Sequence, residues 1–125
     1  MTGAPTHHSA DGLMEALARA RAAIVAETQA LQANDLSNLA EHHQRKDQSL
    51  LELTRRASRL NGAPPPEEAR AMLRELRDII IANQAALRTQ LHAARTISDV
   101  LMRAIAEEES DRTYSMRPAV RTRKA

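Results

Sequence analysis

The sequence predicts an all-α protein: an antiparallel helical bundle or coiled-coil hairpin in which two shorter N-terminal helices pack on one long C-terminal helix. Two observations lead to this prediction. Leucine, isoleucine and alanine recur with heptad spacing along most of the 125 residues, which is typical of helices packed along narrow seams. The chain also contains a single aromatic residue, Tyr114, and neither Phe nor Trp, so its core must be aliphatic.

The first helix is predicted over residues 12–33. Asp11 is a suitable N-cap, and residues 1–10 show no periodicity, so we expect a disordered N-terminus before it. The seam of this helix is thin because alanine is frequent in it. It is interrupted by Glu27, and its other members are Leu13, Leu17, Ala20, Ile24 and Leu31.

A turn or sharp kink is predicted at Asn34-Asp35, because both residues are good helix caps and poor helix interiors. The seam changes phase at the same place, although one continuous helix is the alternative. The second helix is predicted over residues 36–61. Its seam contains two polar members among its apolar residues: Leu36, Leu39, His43, Lys46, Leu50, Leu53, Ala57 and Leu60.

The clearest boundary follows the second helix. Asn61-Gly62 predicts a helix C-terminus, since glycine adopts the left-handed cap conformation without a steric penalty, and "APPPEE" then starts a new helix. That helix is predicted over residues 65–112, with a stripe wide enough to contact two helices. Its seam is Leu73, Leu76, Ile80, Asn83, Leu87, Gln90, Ala94, Ile97, Leu101 and Ala104, widened by Ile79, Leu91 and Ile105.

These elements form one predicted helical domain over residues 11–113, followed by a flexible basic tail over residues 114–125. The net charge of +2 is not spread evenly: the segment from Ser110 to the C-terminus has five basic residues and one acidic residue, which leaves −2 for the remainder. The net positive charge is thus confined to the end of the chain. After Tyr114 the tail lacks aromatic residues that would stack on bases, so we do not expect nucleic-acid binding.

The residue pattern does not favour catalysis or a cofactor. The chain has no Cys, no nucleophile motif and no Gly-rich phosphate loop. His42-His43, with Glu41 and Asp47 nearby, is the most metal-like cluster. His43 and Asp47 are four residues apart and could share one helix face, but a third ligand is not evident. We therefore expect a protein that is not an enzyme and binds no metal. Since no apolar run is long enough to cross a bilayer and the N-terminus does not read as a secretory signal, we expect a cytoplasmic protein without membrane insertion.

Asn83 is the most informative polar residue of the last seam, because it is short and flanked by isoleucines. A buried amide of this kind sets the register of helix assemblies, and a contact to a partner is the other interpretation. The wide aliphatic stripe that surrounds it is typical of a protein that binds partner helices. Such a stripe serves a homodimer and a foreign helix equally well, so the oligomeric state stays open.

The chain resembles the FlgN family of flagellar export chaperones over residues 13–115. The stretches that carry the resemblance are "ALQANDLSNLAEHHQRKDQSLLEL", "LRELRDIIIANQAALRTQLHAARTI" and "DRTYS". The family pattern is matched by an acidic residue that opens the second helix (Asp35), the Lys46 that follows its leucines, Asn83 midway along the long helix, and Tyr114 just past it. The basic stretch after Tyr114 departs from the small residues and glycine frequent in the family.

The resemblance implies a cytoplasmic chaperone for the hook-associated proteins FlgK and FlgL. Such a chaperone binds their C-terminal amphipathic helices and delivers them to the type III export gate. Tyr114 would dock on the cytoplasmic domain of the export-gate protein FlhA. The cargo helix would lie on the second half of the last helix, against Leu91, Ala94, Ile97, Leu101 and Ile105.

Two rival interpretations remain from the sequence. One is a structural coiled-coil protein that only associates with itself through the stripe around Ile97 and Ile105. The other is a nucleic-acid-associated protein that uses its basic tail. A cargo-independent oligomer would favour the first, and DNA binding that disappears when residues 117–125 are deleted would favour the second.

Overall fold

The chain folds into three α-helices and the turns between them. The computed structural model describes the backbone of residues 3–124 and the side chains of residues 12–114. α1 spans Gly3–Gln32, α2 spans Leu39–Ser58 and α3 spans Glu67–Lys124. No strand occurs among the described residues, and the predicted all-α class is confirmed.

The chain divides into two units, residues 1–88 and residues 89–125. The first contains α1, α2 and the beginning of α3, and the second contains the rest of α3. The sequence predicts one helical domain over residues 11–113. Periodicity does not reveal the division because the heptad pattern of α3 runs through it unbroken.

α1 begins earlier than the sequence predicts. Its backbone is helical from Gly3, so Asp11 lies inside the helix rather than at its cap, and residues 3–10 have regular structure where disorder is predicted. Pro5 falls in the first turn, where a missing N–H costs no helical hydrogen bond. Hydrophobic periodicity indicates a buried face rather than helicity itself, so it missed this segment. Residues 1 and 2 lie outside the described part of the chain.

The turn between α1 and α2 confirms the prediction at Asn34-Asp35 and excludes a continuous helix. Asn34 has a φ of 55°, and its N–H donates to the carbonyl of Leu31 at 3.1 Å, while the N–H of Asp35 donates to the carbonyl of Ala30 at 2.9 Å. This pair of bonds is a Schellman motif. Asparagine tolerates the left-handed conformation that the motif requires.

α2 begins at Leu39, three residues later than predicted. The Oγ of Ser37 donates to Asp35 Oδ1 at 2.6 Å, and such a local bond competes with helix formation. Hydrogen bonds from Ser37 also hold the pKa of the Asp35 carboxyl below its ordinary value. Leu36, predicted as the first seam residue of α2, precedes the helix and is exposed, so its assignment to the seam is wrong.

The turn between α2 and α3 lies where Asn61-Gly62 and the prolines predict it. Asn61 and Gly62 have φ values of 49° and 79°, and α2 ends at Ser58 rather than at residue 61. α3 begins at Glu67, two residues after the predicted start, and the carbonyl of Pro66 accepts the N–H of Arg70 at 3.0 Å. Glu67 and Glu68 in its first turn favour this N-terminus through the helix dipole.

The core of residues 1–88 joins one face of α1 to single faces of α2 and α3. Arg21 pairs with Glu75 and Glu27 bonds to Asn83, so α3 runs parallel to α1. Glu27 also bonds to Lys46, and Gly12 lies beside Arg56, so α2 runs antiparallel to both. The whole predicted seam of α1 is buried. The buried apolar cluster consists of Leu13, Ala16, Leu17, Ala20, Ile24, Leu53, Ala69 and Leu76.

α3 continues beyond its predicted end at residue 112. Its backbone is helical to Lys124 and passes Pro118, where the sequence predicts a flexible tail from residue 114. A proline removes one backbone hydrogen bond and kinks a helix without having to end it. Residue 125 and the side chains of residues 115–124 lie outside the description.

Candidate helix-docking surface

An exposed aliphatic face occupies the part of α3 in residues 89–125. It is called here the α3 stripe and consists of Leu91, Ala94, Ile97, Leu101 and Ile105, the five residues to which the family resemblance assigns cargo binding. The four large side chains are 50–59% exposed, and Ala94 is exposed as well. Fully burying a leucine or isoleucine gains about 1.5–3 kcal/mol, so roughly half of that gain remains available at each large residue.

The α3 stripe keeps the heptad phase that packs the core in residues 1–88. Leu76 and Asn83, one heptad apart, are 4% and 3% exposed, whereas Ile97, two heptads beyond Asn83, is 59% exposed. The same heptad pattern therefore gives a buried face in residues 1–88 and an exposed face in residues 89–125. A heptad pattern predicts which face is apolar but not what covers it.

Two exposed residues widen this face beyond the prediction. Val100 and Met102 are 56% and 64% exposed, and at ~100° per residue each lies about 60° from a stripe member, Val100 from Ile97 and Met102 from Ile105. Their positions fall outside the strict heptad, so a heptad analysis does not select them. Methionine has a flexible side chain that adapts to irregular apolar surfaces.

Tyr114, the predicted export-gate contact, is 62% exposed. It lies within α3 rather than past the last helix, because the helix does not stop at residue 112. Nine residues separate it from Ile105, which is about 13 Å along the axis and about half a turn around it. Tyr114 and the end of the α3 stripe therefore face different directions on the same helix, and two partners could bind them separately.

A buried polar cluster sets the register of the three helices in residues 1–88. Glu27 of α1 is fully buried, and its Oε1 accepts hydrogen bonds from Lys46 Nζ at 2.7 Å and Asn83 Nδ2 at 2.9 Å. Lys46 Nζ also donates to Asn83 Oδ1 at 3.2 Å, and Asn83 Nδ2 lies 3.0 Å from Thr28 Oγ1. The predicted polar core residue Asn83 is thus buried and bonded to both other helices.

The other carboxylate oxygen of Glu27, Oε2, makes a second contact with α2. His43 Nδ1 lies 3.0 Å from Glu27 Oε2, and His43 is half-exposed. Burial by itself raises the pKa of Glu27, but the hydrogen bonds from Lys46, Asn83 and His43 outweigh it and hold that pKa below its ordinary value. The carboxylate is therefore charged at neutral pH and paired with the buried ammonium of Lys46.

The sequence contains the signal for this cluster. Glu27, Lys46 and Asn83 are the polar members of three separate seams, and His43 precedes Lys46 on its seam. Periodicity does not show the relative register of the helices, so it could not predict that these residues contact one another. The cluster fixes that register because a slip of one helix would leave a buried charge without its partner.

The described residues contain neither a group of metal-ligand side chains nor a membrane-spanning helix. His43 Nε2 lies 3.9 Å from Asp47 Oδ2, but no three His, Cys, Asp or Glu side chains in the described part gather as metal ligands would. Within the same part, no helix combines the length and the apolarity that crossing a bilayer requires.

Comparison of the chain with models of protein families, with curated proteins and with solved structures finds no match.

Proposed function

We propose that the chain is a cytoplasmic flagellar export chaperone of the FlgN kind. In this proposal it binds the C-terminal amphipathic helices of FlgK and FlgL through the α3 stripe and delivers them to the cytoplasmic domain of FlhA through Tyr114. The observation that carries the proposal is the exposed α3 stripe, an aliphatic helix face in core phase with at least half of each large side chain open to solvent.

An amphipathic helix is the partner that best fits the α3 stripe. Ala94, Ile97 and Leu101 lie in the heptad seam, and Leu91 and Ile105 flank it, so the side chains of a second helix can interdigitate with the stripe as in a coiled coil. The opposite face of the same segment is polar and includes Asp99 and Arg103. One side of this segment of α3 thus remains suited to water when the other side is covered.

The position of Tyr114 supports separate cargo and gate contacts. An exposed tyrosine is a good anchor for a shallow apolar pocket because it brings a large rigid surface and one hydroxyl. Since it lies about half a turn from Ile105, cargo on the α3 stripe leaves it accessible. A chaperone that must hold one partner while it docks on another requires this separation.

Binding of a synthetic C-terminal helix of FlgK to the full chain tests the proposal. Replacing Leu101 and Ile105 together by alanine removes about six carbons that are half-exposed before binding. At about 0.8 kcal/mol per buried CH₂, the loss is about 2 kcal/mol, or roughly a 30-fold higher Kd. The matched control is Arg103→Ala, which lies between them in sequence on the polar face and should leave the Kd unchanged.

Tyr114→Ala should leave FlgK binding unchanged and weaken binding of the FlhA cytoplasmic domain. The assignment of the two contacts is wrong if this variant abolishes cargo binding and retains the gate contact. Sedimentation of the isolated protein tests the rival of pure self-association. A tight oligomer that buries Ile97 and Ile105 and persists in the presence of the FlgK helix would overturn the chaperone proposal.

A further inference from the structure

A second open surface lies in residues 1–88, between α1 and α2. It is a groove of about 520 Å³, and its lining includes Ala22, Ala23 and Ala26 of α1 and Arg45 of α2. It is called here the alanine groove. α1 contacts the part of α3 in residues 67–88 through Arg21 and Glu27, which do not line the groove, so the groove lies on another face of α1.

The floor of the alanine groove suits the close approach of a helix. Ala22 is exposed, and Ala23 and Ala26 are half-buried, so that methyl groups rather than long side chains meet an incoming backbone. Small residues allow helix axes to approach to the short end of the usual interaxial range of about 8–10 Å. Alanine also loses no side-chain entropy when it is covered.

The rim of the alanine groove is positively charged. Arg19, Arg45 and His42 line it together with one acidic residue, Glu52. Glu52 is already paired with Arg56 at 2.7 Å. Among the described side chains, Arg45 takes part in no ion pair, and Arg19 has only the exposed Glu15 at 3.9 Å. The rim therefore offers cations that an acidic partner can neutralise.

We infer that the alanine groove binds an amphipathic helix of a partner protein with small or aliphatic residues on one face and acidic residues along its flanks. The apolar face would lie on Ala22 and Ala26, with carboxylates against Arg19 and Arg45. Arginine suits this role because its fork of N–H donors matches a carboxylate. The surface is separate from the α3 stripe, so the inference extends beyond the proposed cargo contact.

Two synthetic helices of about 18 residues, long enough for about five turns, test the inference. Both carry the same alanine and leucine face; one has glutamates along its flanks and the other has lysines. Titrated into the full chain and followed by amide shifts in two-dimensional NMR, the glutamate helix should shift the signals of Ala22, Ala26 and Arg45. It should bind at least about tenfold more tightly than the lysine helix, and more weakly as salt rises.

Two variants of exposed residues locate the binding site. Arg45→Glu should weaken binding of the glutamate helix at least about tenfold through charge reversal, and Ala22→Phe should weaken it by blocking the floor. Arg88→Glu, an exposed residue of α3 outside the groove, is the matched control and should change little. Circular dichroism of each variant verifies that the helices remain folded.

Three outcomes would overturn the inference. The first is equal affinity of the glutamate and lysine helices, and the second is a set of shifts confined to residues 91–105. The third is a dimer of the free protein that Ala22→Phe dissociates, which would assign the groove to a second copy of the chain. A variant with Leu101 and Ile105 replaced by alanine separates the two proposals, because it should lose the FlgK helix and keep the glutamate helix.

Discussion

Lys46→Met should destabilise the bundle by about 3 kcal/mol. The Lys46 side chain is 10% exposed, and its ammonium lies 2.7 Å from the fully buried Glu27 carboxylate. Methionine retains the length of the stem but leaves that carboxylate without its cation. Removal of one partner from a buried pair costs about 3–5 kcal/mol. We expect the lower end, because Asn83 Nδ2 still donates at 2.9 Å and His43 Nδ1 lies at 3.0 Å.

Urea unfolding followed by far-ultraviolet circular dichroism measures this effect. With m values of about 1–3 kcal/mol/M, a loss of 3 kcal/mol lowers the midpoint by about 1–3 M. The control is Arg45→Met one residue away, where the side chain is exposed and a change within about 0.5 kcal/mol is expected. Equal midpoints for the Lys46 and Arg45 variants would refute the reasoning, because the carboxylate would then not depend on a buried cation.

Replacing Glu27, Lys46 and Asn83 together by apolar residues separates the cost of burying polar groups from the gain of pairing them. Glu27→Leu, Lys46→Met and Asn83→Leu together remove every charge and amide at once, so no buried group is left without its partner. Replacements of this kind are often neutral or stabilising by about 1–4 kcal/mol. The triple variant should therefore be more stable than Lys46→Met alone.

Two further predictions concern pH and backbone conformation. The pKa of Glu27 is lower in the folded chain than its ordinary value. The ionised carboxylate therefore contributes its full stabilisation above the ordinary carboxyl pKa of about 4.3. That stabilisation is lost as the pH falls through the lower pKa of the folded state. The difference in urea midpoint between wild type and Glu27→Gln should accordingly shrink below about pH 4, and a difference independent of pH would contradict the assignment. Gly62→Ala should cost about 1 kcal/mol, since the φ of Gly62 is +79° and an added Cβ meets nothing within 4 Å. Gly12→Ala is the matched control. The added Cβ would meet only the movable end of the Arg56 side chain, at 3.0 Å. The free energy of unfolding should rise by up to about 1 kcal/mol, because alanine has the higher helix propensity. Thermal unfolding of both variants checks the opposite signs.

Much of the fold follows from short-range signals in the sequence. Asn34 and Gly62 mark turns because few other residue types tolerate a positive φ, and the Leu13–Leu31 seam is buried as its spacing predicts. The helix ends are less accurate. Leu36 carries the right hydrophobicity for α2, but the Asp35–Ser37 hydrogen bond keeps the chain out of the helix there.

The candidate sites were predictable to a smaller extent. The spacing of Ile97, Leu101 and Ile105 predicts an apolar face, and the structure leaves that face exposed. The meeting of Glu27 with Lys46 depends on the relative register of α1 and α2, which the sequence of either helix does not contain. The alanine groove depends in the same way on the space between two helices. From the sequence alone, its alanines indicate only that the segment forms a helix.

Hydrogen exchange of the full chain with and without the synthetic FlgK C-terminal helix tests the central claim most directly. If the α3 stripe binds this helix, backbone amides in residues 91–105 exchange more slowly at saturating peptide, while the exchange rates of the α2 amides are unchanged. Protection of α1 and α2 with no change in residues 91–105 would contradict it.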